Sequence, residues 1–295
     1  MYVDEFIKYL KVERNYSIHT IKNYELDIND FVEYCNSIKK NILKIKYEDI
    51  KSYLVILHSK KYKATSISRR ISSLRTFYKY LYNRELIDKN IFKSISTPKK
   101  EKRLPKYVTN EDVDIIFKAP NLDTPIGVRN RLILEMLYAT GIRVSELCNI
   151  KMDDIDFSNK TIRIMGKGSK ERIVLYGNEC EKILNLYIND SRVVLLNNKQ
   201  SDYLFIGMNK TKPLTTRSVE LILDDIIKEA AINKNVTPHV LRHTFATHLL
   251  NEGCDILVVK ELLGHSSLDT TGIYTHVSNE RLRKVYLDSH PRAKK

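Results

Sequence analysis

Between Lys93 and Tyr107 the chain reads KSISTPKKEKRLPKY, and no other stretch limits the fold more. It carries two prolines, six cations against one acid, and no apolar periodicity. Proline donates no backbone N–H, and crowded like charge resists burial, so no helix or strand is expected to run through it. The residues before it and the residues after it must therefore bury their apolar faces in separate cores. A chain of 295 residues that is 42% hydrophobic is long enough for two ordinary cores. The expected organisation is a first domain over 1–92, a basic linker over 93–107 and a second domain over 108–295.

The first domain repeats its apolar residues at helical spacing. A short helix is expected from Asp4 to Val12, with Phe6, Ile7 and Leu10 on one side. A longer one runs from His19 to Cys35 through Ile21, Tyr24, Ile28, Phe31 and Val32. A third covers Tyr47 to Ser59. A fourth covers Thr65 to Tyr82, with Ile67, Ile71, Leu74, Phe77, Tyr78 and Leu81. Four amphipathic helices with short connections predict a bundle.

Charge in this bundle is lopsided. From Ile50 to Arg84 there is no acid, while Lys51, Lys60, Lys61, Lys63, Arg69, Arg70, Arg75, Lys79 and Arg84 are positive. A solvated helix face usually mixes signs, because like charges four apart destabilise it. An outside polyanion is the expected partner, and the whole chain agrees: 50 Lys and Arg against 36 Asp and Glu leave a formal charge of +14. Arg69, Arg70 and Arg75 are the candidate DNA contacts, and the linker cations read the same way.

In the second domain Thr109-Asn-Glu-Asp112 reads as a helix start. A helix from Ile126 to Thr140 ends at Gly141. Arg143 then opens a short helix, with Glu146 three residues on as its natural ion-pair partner. Lys160 to Met165 and Arg172 to Leu175 alternate as strands around the turn Gly166-Lys167-Gly168-Ser169-Lys170. This is a hairpin and not a phosphate-binding loop, because G-x-x-x-x-G-K-[ST] is absent. A lysine at a hairpin tip is ordinarily solvated, but the glycines beside Lys167 allow a ligand close approach. A core helix from Asn178 to Leu195 follows, then a short buried strand Tyr203 to Ile206. Thr215 or Thr216 caps a helix through Ala231.

The densest chemistry lies in TPHVLRHTFATHLLNEGCDILVVKELLGHSSLDTTGIYTH, from Thr237 to His276. Thr237 caps a helix whose first turn holds Pro238. On it His239, Arg242 and His243 fall at i, i+3 and i+4 and share a face. Gly253 ends this helix; a second runs from Asp255 to Leu263 and stops at Gly264, just before His265. A third helical stretch carries Tyr274. Cations can hold a phosphodiester, and a phenol helped by an imidazole can attack it. Two histidines at i, i+4 can also bind a metal, but no H-E-x-x-H or cysteine pair completes such a site.

HVLRH, then LLGH, then TxxxYTH, preceded upstream by ATGIRVSEL and GKGSKER, resembles the signature of the tyrosine recombinases of phage-integrase type. Six residues in order on these five motifs, over nearly the whole chain, carry that resemblance, and its ending looks most like the Xer subgroup, the XerD type in particular. The resemblance implies a fold that is mainly α with a small β-sheet. It would be a two-domain clamp: an N-terminal four-helix bundle that binds core DNA, plus an α+β catalytic domain of the tyrosine recombinase type with a C-terminal tail helix. It implies catalytic roles for Arg143, Lys167, His239, Arg242, His265 and Tyr274, with Glu146 and His243 in support. Tyr274 would form a 3′-phosphotyrosyl bond and Lys167 would protonate the leaving oxygen. Lys170 and Arg172 are further DNA-contact candidates. Family members often place an arginine where Thr216 stands, and here Arg217 follows it as the candidate contact.

The same resemblance implies double-stranded DNA as partner and a tetramer on two duplexes, with a second, XerC-like recombinase and an FtsK-like translocase as candidate associates. No cofactor is expected, since the phosphotyrosyl bond conserves the energy of the broken one. The expected function is site-specific recombination that resolves chromosome or plasmid dimers. A phage or transposon integrase, or a DNA-binding regulator without catalysis, are the alternatives. The compact N-terminus, without an extra arm-binding domain, favours the first.

Cys35, Cys148, Cys180 and Cys254 form no C-x-x-C and read as reduced core thiols in a cytoplasmic protein. The start MYVDEFIKYL is mixed in charge and is no signal peptide. No apolar run approaches the ~20 residues of a membrane span. Gly272, two residues before Tyr274, costs a helix roughly 1 kcal/mol, so the Tyr274 segment is expected to be easily displaced.

Overall fold

The computed structural model of the chain describes residues 2–97, 107–166, 171–264 and 279–293. It divides into two compact units, Met1–Leu104 and Pro105–Lys295.

The first unit is built on α1 (Tyr2–Val12), α2 (Ile18–Ser37), α3 (Tyr47–Ser59) and α4 (Ala64–Asn83). Ser17 caps α2 by accepting from the Thr20 N–H, and the Asp49 carboxylate accepts from the Lys46 N–H at the start of α3. The stripes at helical spacing meet in one core of Phe6, Ile28, Phe31, Tyr53, Leu74, Phe77, Tyr78 and Phe92. Phe31 lies edge-on to Tyr53 and Phe92, with centroids 5.0 and 5.5 Å away. Each such ring contributes roughly 2–3 kcal/mol by leaving water.

The acid-free stretch is not left unpaired: Arg69, Arg70 and Arg75, the candidate DNA contacts, each have partners within the unit. The acids come from α2, more than one helix away in sequence. Asp27, 1% exposed, receives Arg69 at 2.5 Å and the Ser73 hydroxyl at 2.7 Å. Asp30 receives Arg70 at 2.5 Å and the Tyr53 hydroxyl at 2.6 Å. Arg75 donates to the carbonyls of Phe92 and Ile95, at 3.1 and 2.7 Å. Burying Asp27 without these donors would cost several kcal/mol, and Arg69, Arg70 and Arg75 together hold α4 to its neighbours. Lys51, Lys60, Lys61, Lys63 and Lys79 remain exposed, with no carboxylate partner among the described residues.

The second unit surrounds α6 (Pro125–Thr140), which is buried on nearly every side. Such a helix is apolar all round because others cover it. Before it lies α5 (Asn110–Lys118), capped by Thr109. After it come α7 (Val144–Cys148) and a three-stranded antiparallel sheet in the order β1 (Ile155–Asp156), β2 (Thr161–Met165), β3 (Glu171–Leu175). Cross-strand partners are Ile162 with Val174 and Ile164 with Arg172. Directly paired residues share a face of the sheet, so Arg172 stands on the inward face with three buried aliphatics.

The helix expected over 178–195 is α8 (Asn178–Leu186), a π-helical turn (Tyr187–Ser191) and α9 (Arg192–Leu196) in succession. Tyr203–Ile206 is not a strand: Leu204, Phe205 and Ile206 are buried as expected, but only single bridges, Lys151 to Tyr203 and Ile206 to Pro213, pair this segment. The Phe205 and Leu204 backbones instead bond to Leu214 and Ile150. Then follow α10 (Thr216–Glu229), capped by Thr215, α11 (Pro238–Asn251), α12 (Ile256–Leu262) and α13 (Asn279–Ser289).

The C-terminal segment packs on its own unit. Tyr286 stacks on His290, and Arg292 donates to both oxygens of the buried Glu135 of α6, at 3.0 and 2.6 Å. All four cysteines are free and buried. No helix among the described residues is long and apolar enough to cross a membrane.

Candidate active site

The site begins where α6 ends. Gly141 has φ +60°, and a Cβ there would lie 2.6 Å from the Phe245 ring. Only glycine turns the chain left-handed at this close approach. The turn delivers Arg143 to the start of α7. There the Arg143 N–H donates to Glu146 Oε2 at 2.8 Å, and its guanidinium Nη1 donates to Oε1 at 2.9 Å. The Arg143 side chain is still 43% exposed, so part of its donor fork remains open to solvent.

Glu146 holds a second arginine. Arg172 on β3 donates Nη1 to Oε1 at 3.0 Å and Nη2 to Oε2 at 2.7 Å, the two-pronged arrangement that suits a guanidinium. Burial alone would raise the Glu146 pKa. The hydrogen bonds from Arg172 and from the Arg143 backbone, then the positive charge of Arg172 and the bond from the Arg143 side chain, bring it down to about 2. The carboxylate is therefore ionised at any working pH.

Arg242 reaches the same place from α11. Thr237 caps this helix by accepting from the Val240 N–H, with Pro238 in its first turn. The sequence start signals thus set the phase that points Arg242 inward. Its guanidinium donates to the carbonyl of Gly141, and at 2.7 Å to that of Leu263 at the end of α12. Burial, then repulsion from Arg143, lower its pKa to about 10, which still leaves it charged. His239 and His243 flank it on the helix, exposed and half-buried respectively.

Two guanidiniums thus share a single carboxylate and a third, Arg242, is held beside them on two carbonyls, leaving a net positive charge on fixed backbone and side-chain partners. Such a cluster is built for an anion whose charge grows during reaction. Arg143, Glu146, Arg172 and Arg242 are joined by direct bonds or through Gly141. Arg217 sits apart from these bonds, exposed in the first turn of α10 and 3.2 Å from Glu220. Lys167, Lys170, His265 and Tyr274, with Gly272, lie outside the described residues.

Arg172, a candidate DNA contact, has its guanidinium bonded to Glu146. The sequence offers one signal for this: Glu146 has a single cation nearby in the chain, too few donors for a buried carboxylate. Nothing in the sequence singles out His290 and Arg292 beyond the resembling ending, and Glu135 is what draws Arg292 in.

The comparisons agree across the chain. Residues 106–281 match the model of the phage integrase family, and residues 3–85 match that of the phage integrase N-terminal SAM-like domain. A protein called tyrosine recombinase XerC from Anoxybacillus flavithermus is 46% identical over 291 residues, 98% of this chain and 97% of that one. One of the same name from Staphylococcus aureus is 47% identical over 295 residues, 99% of this chain and 97% of its own. The XerH site-specific recombinase bound to a palindromic difH substrate, in its post-cleavage complex, matches with TM-score 0.71 and 27% identity, covering 97% of this chain and 84% of that one. With both units matched and relatives near half identity along its length, the chain belongs to the phage integrase family of tyrosine recombinases, enzymes that break and rejoin DNA at specific sites.

Proposed function

We propose that this recombinase is of the Xer type and resolves chromosome or plasmid dimers in the cytoplasm. The observation that carries the reading is the cluster of Arg143 and Arg242 about Gly141, in a chain 46–47% identical to proteins named XerC. Those names favour the XerC type over the XerD type expected from the chain's ending. A complementary recombinase as second partner in a tetramer on two duplexes follows from that assignment, with a DNA translocase as its activator.

The chemistry is a pair of phosphoryl transfers. Arg143 and Arg242 hold the non-bridging oxygens of the scissile phosphate and offset the charge of its five-coordinate state. Tyr274 attacks and forms a 3′-phosphotyrosyl bond while a 5′-hydroxyl departs. His239 manages the tyrosine proton, His265 bonds the phosphate and Lys167 protonates the leaving oxygen. His243 supports this face of α11. A 5′-hydroxyl from the other duplex then reverses the step, so bond number is conserved and no nucleotide triphosphate is consumed. The N-terminal unit contributes DNA affinity through its exposed lysines, and Lys170 and Arg217 add contacts from the catalytic unit.

A nicked duplex carrying a genomic site enriched on the bound protein tests this. Cleavage beside the nick lets a short fragment diffuse away and traps the covalent adduct. The wild-type chain should form the adduct, and Tyr274→Phe should bind equally and form none. Binding by the wild type without any adduct would instead mark a DNA-binding regulator.

A further inference from the structure

Arg172 has no assigned part in the chemistry above, yet it makes the best-formed side-chain contact in the site. It occupies an inward position on β3, opposite Ile164, where an aliphatic residue would be the ordinary choice. Its side chain is only 16% exposed, against 43% for Arg143. Both of its terminal nitrogens are spent on Glu146. Its Nε is buried, with no hydrogen-bond partner among the described residues. Two of its five N–H donors are thus committed to Glu146 and its Nε is out of reach of solvent, so it is poorly placed to meet a DNA phosphate directly.

Each Glu146 oxygen accepts one bond from Arg143 and one from Arg172. Were Glu146 paired with Arg143 alone, the two would form a neutral unit. Adding Arg172 makes the trio positive, and Arg143, the more exposed member, presents that charge. Arg172 also touches the far side of the site. A Cβ on Gly264 would lie 2.7 Å from its Cδ and 2.8 Å from its Nε. Gly264 follows Leu263, whose carbonyl holds Arg242. One side chain therefore spans β3, the start of α7 and the end of α12.

We infer that Arg172 is a positioning residue for the phosphate clamp. Its two-pronged hold on Glu146 divides that carboxylate between two arginines, leaves Arg143 cationic toward the substrate, and ties the hairpin strand to the arginine pair. The inference rests on the recombinase reading above and adds a residue that acts through Glu146 without touching DNA.

The experiment measures, on the same nicked duplex, the dissociation constant by gel shift and the single-turnover rate of adduct formation at saturating protein. Arg172→Gln should leave the dissociation constant within about threefold and slow adduct formation by roughly 10²–10³, the scale of one lost donor in a charge-stabilising site. Arg172→Lys, which keeps the charge but not the fork, should fall between the two. In a Glu146→Gln background the change Arg172→Gln should cost nothing further, because its partner is already lost.

A repeat of the full loss in that background overturns the inference. So does a wild-type rate in Arg172→Gln, or full rescue by lysine, the mark of a bare structural cation. A loss confined to affinity, with a salt slope lower by about 0.9, would make Arg172 a phosphate contact and equally overturn it. If Arg172→Gln does not fold, Arg172→Lys and the Glu146→Gln pair with Lys decide by the same rates. Failure of the recombinase reading looks different: the wild-type lane itself then holds no adduct.

Discussion

The guanidinium of Arg242 donates to the carbonyl of Gly141, two residues before Arg143. A second bond, 2.7 Å to Leu263, fixes the plane of the fork. The two arginines are thus held by one turn, although they lie far apart in the chain. Arg242→Lys keeps the charge, but one ammonium on a flexible stem cannot reproduce a planar fork across two carbonyls. Adduct formation should drop on the order of 10²–10³. A buried carbonyl left unpaired should also lower stability by about 1–3 kcal/mol. Rate and thermal midpoint are measured together. An unchanged cleavage rate in a destabilised protein would reduce Arg242 to a structural bolt.

Gly264 and Gly253 make a controlled contrast. Both have positive φ, +66° and +84°, so alanine at either costs about 1–2 kcal/mol of backbone strain. At Gly253 the new Cβ meets nothing within 4 Å, whereas at Gly264 it strikes Arg172. Both substitutions should lower the melting temperature to a similar degree. Only Gly264→Ala should slow cleavage at saturating protein, by tenfold or more. Equal cleavage rates in the two variants would mean that Arg172 absorbs the intrusion without consequence.

The features legible in the sequence are local ones. Thr237 and Pro238 announce the start of α11 because a cap and a fixed φ act within one turn, and the apolar period alone delimits α3 from Tyr47 to Ser59. The site arginines follow from motif order. Partnership across distance is what escapes. Asp27 and Asp30 meet Arg69 and Arg70 some forty residues later, so counting signs along one helix could not find them. Arg172 faces inward because of hairpin register, and register depends on turn geometry that alternation does not encode. Tyr203–Ile206 has the apolar run of a strand but no partner in ladder register, and periodicity cannot tell buried from paired.

The exposed lysines, rather than the paired arginines, should set DNA affinity in the first unit. Lys60, Lys61 and Lys63 have no carboxylate partner among the described residues. Replacing all three with glutamine should weaken binding to any duplex and lower the log K versus log salt slope by up to about 2.7, at roughly 0.9 per phosphate contact. The thermal midpoint should hold. Arg70→Gln should do the reverse: slope unchanged, but stability reduced by about 3 kcal/mol as Asp30 loses its cation and Tyr62 its stacked guanidinium. An affinity loss for Arg70→Gln in a fully stable domain would restore it as a DNA contact.

His290 should make the catalytic unit sensitive to mild acid. It is buried against Tyr286 and Phe245, bonds the Tyr138 carbonyl at 3.2 Å and accepts from the Arg292 N–H. Burial pushes its pKa down to about 3; the bond to Tyr138 opposes that, and His248 and Arg292 add to it. His248, bonded to the Tyr138 hydroxyl at 2.7 Å, is lowered too, chiefly by burial. A lowered histidine means that the folded state takes up fewer protons than the unfolded one between about 3 and the ordinary ~6.5. Stability is therefore full above that window and falls as pH drops through it, by up to about 1.4 kcal/mol per unit. His290→Gln removes this proton. It should be less stable than wild type at pH 8, from lost ring packing, and the difference should shrink as pH approaches 5. Urea unfolding at four or five pH values reads both curves, and parallel curves would show that His290 does not set the acid limb.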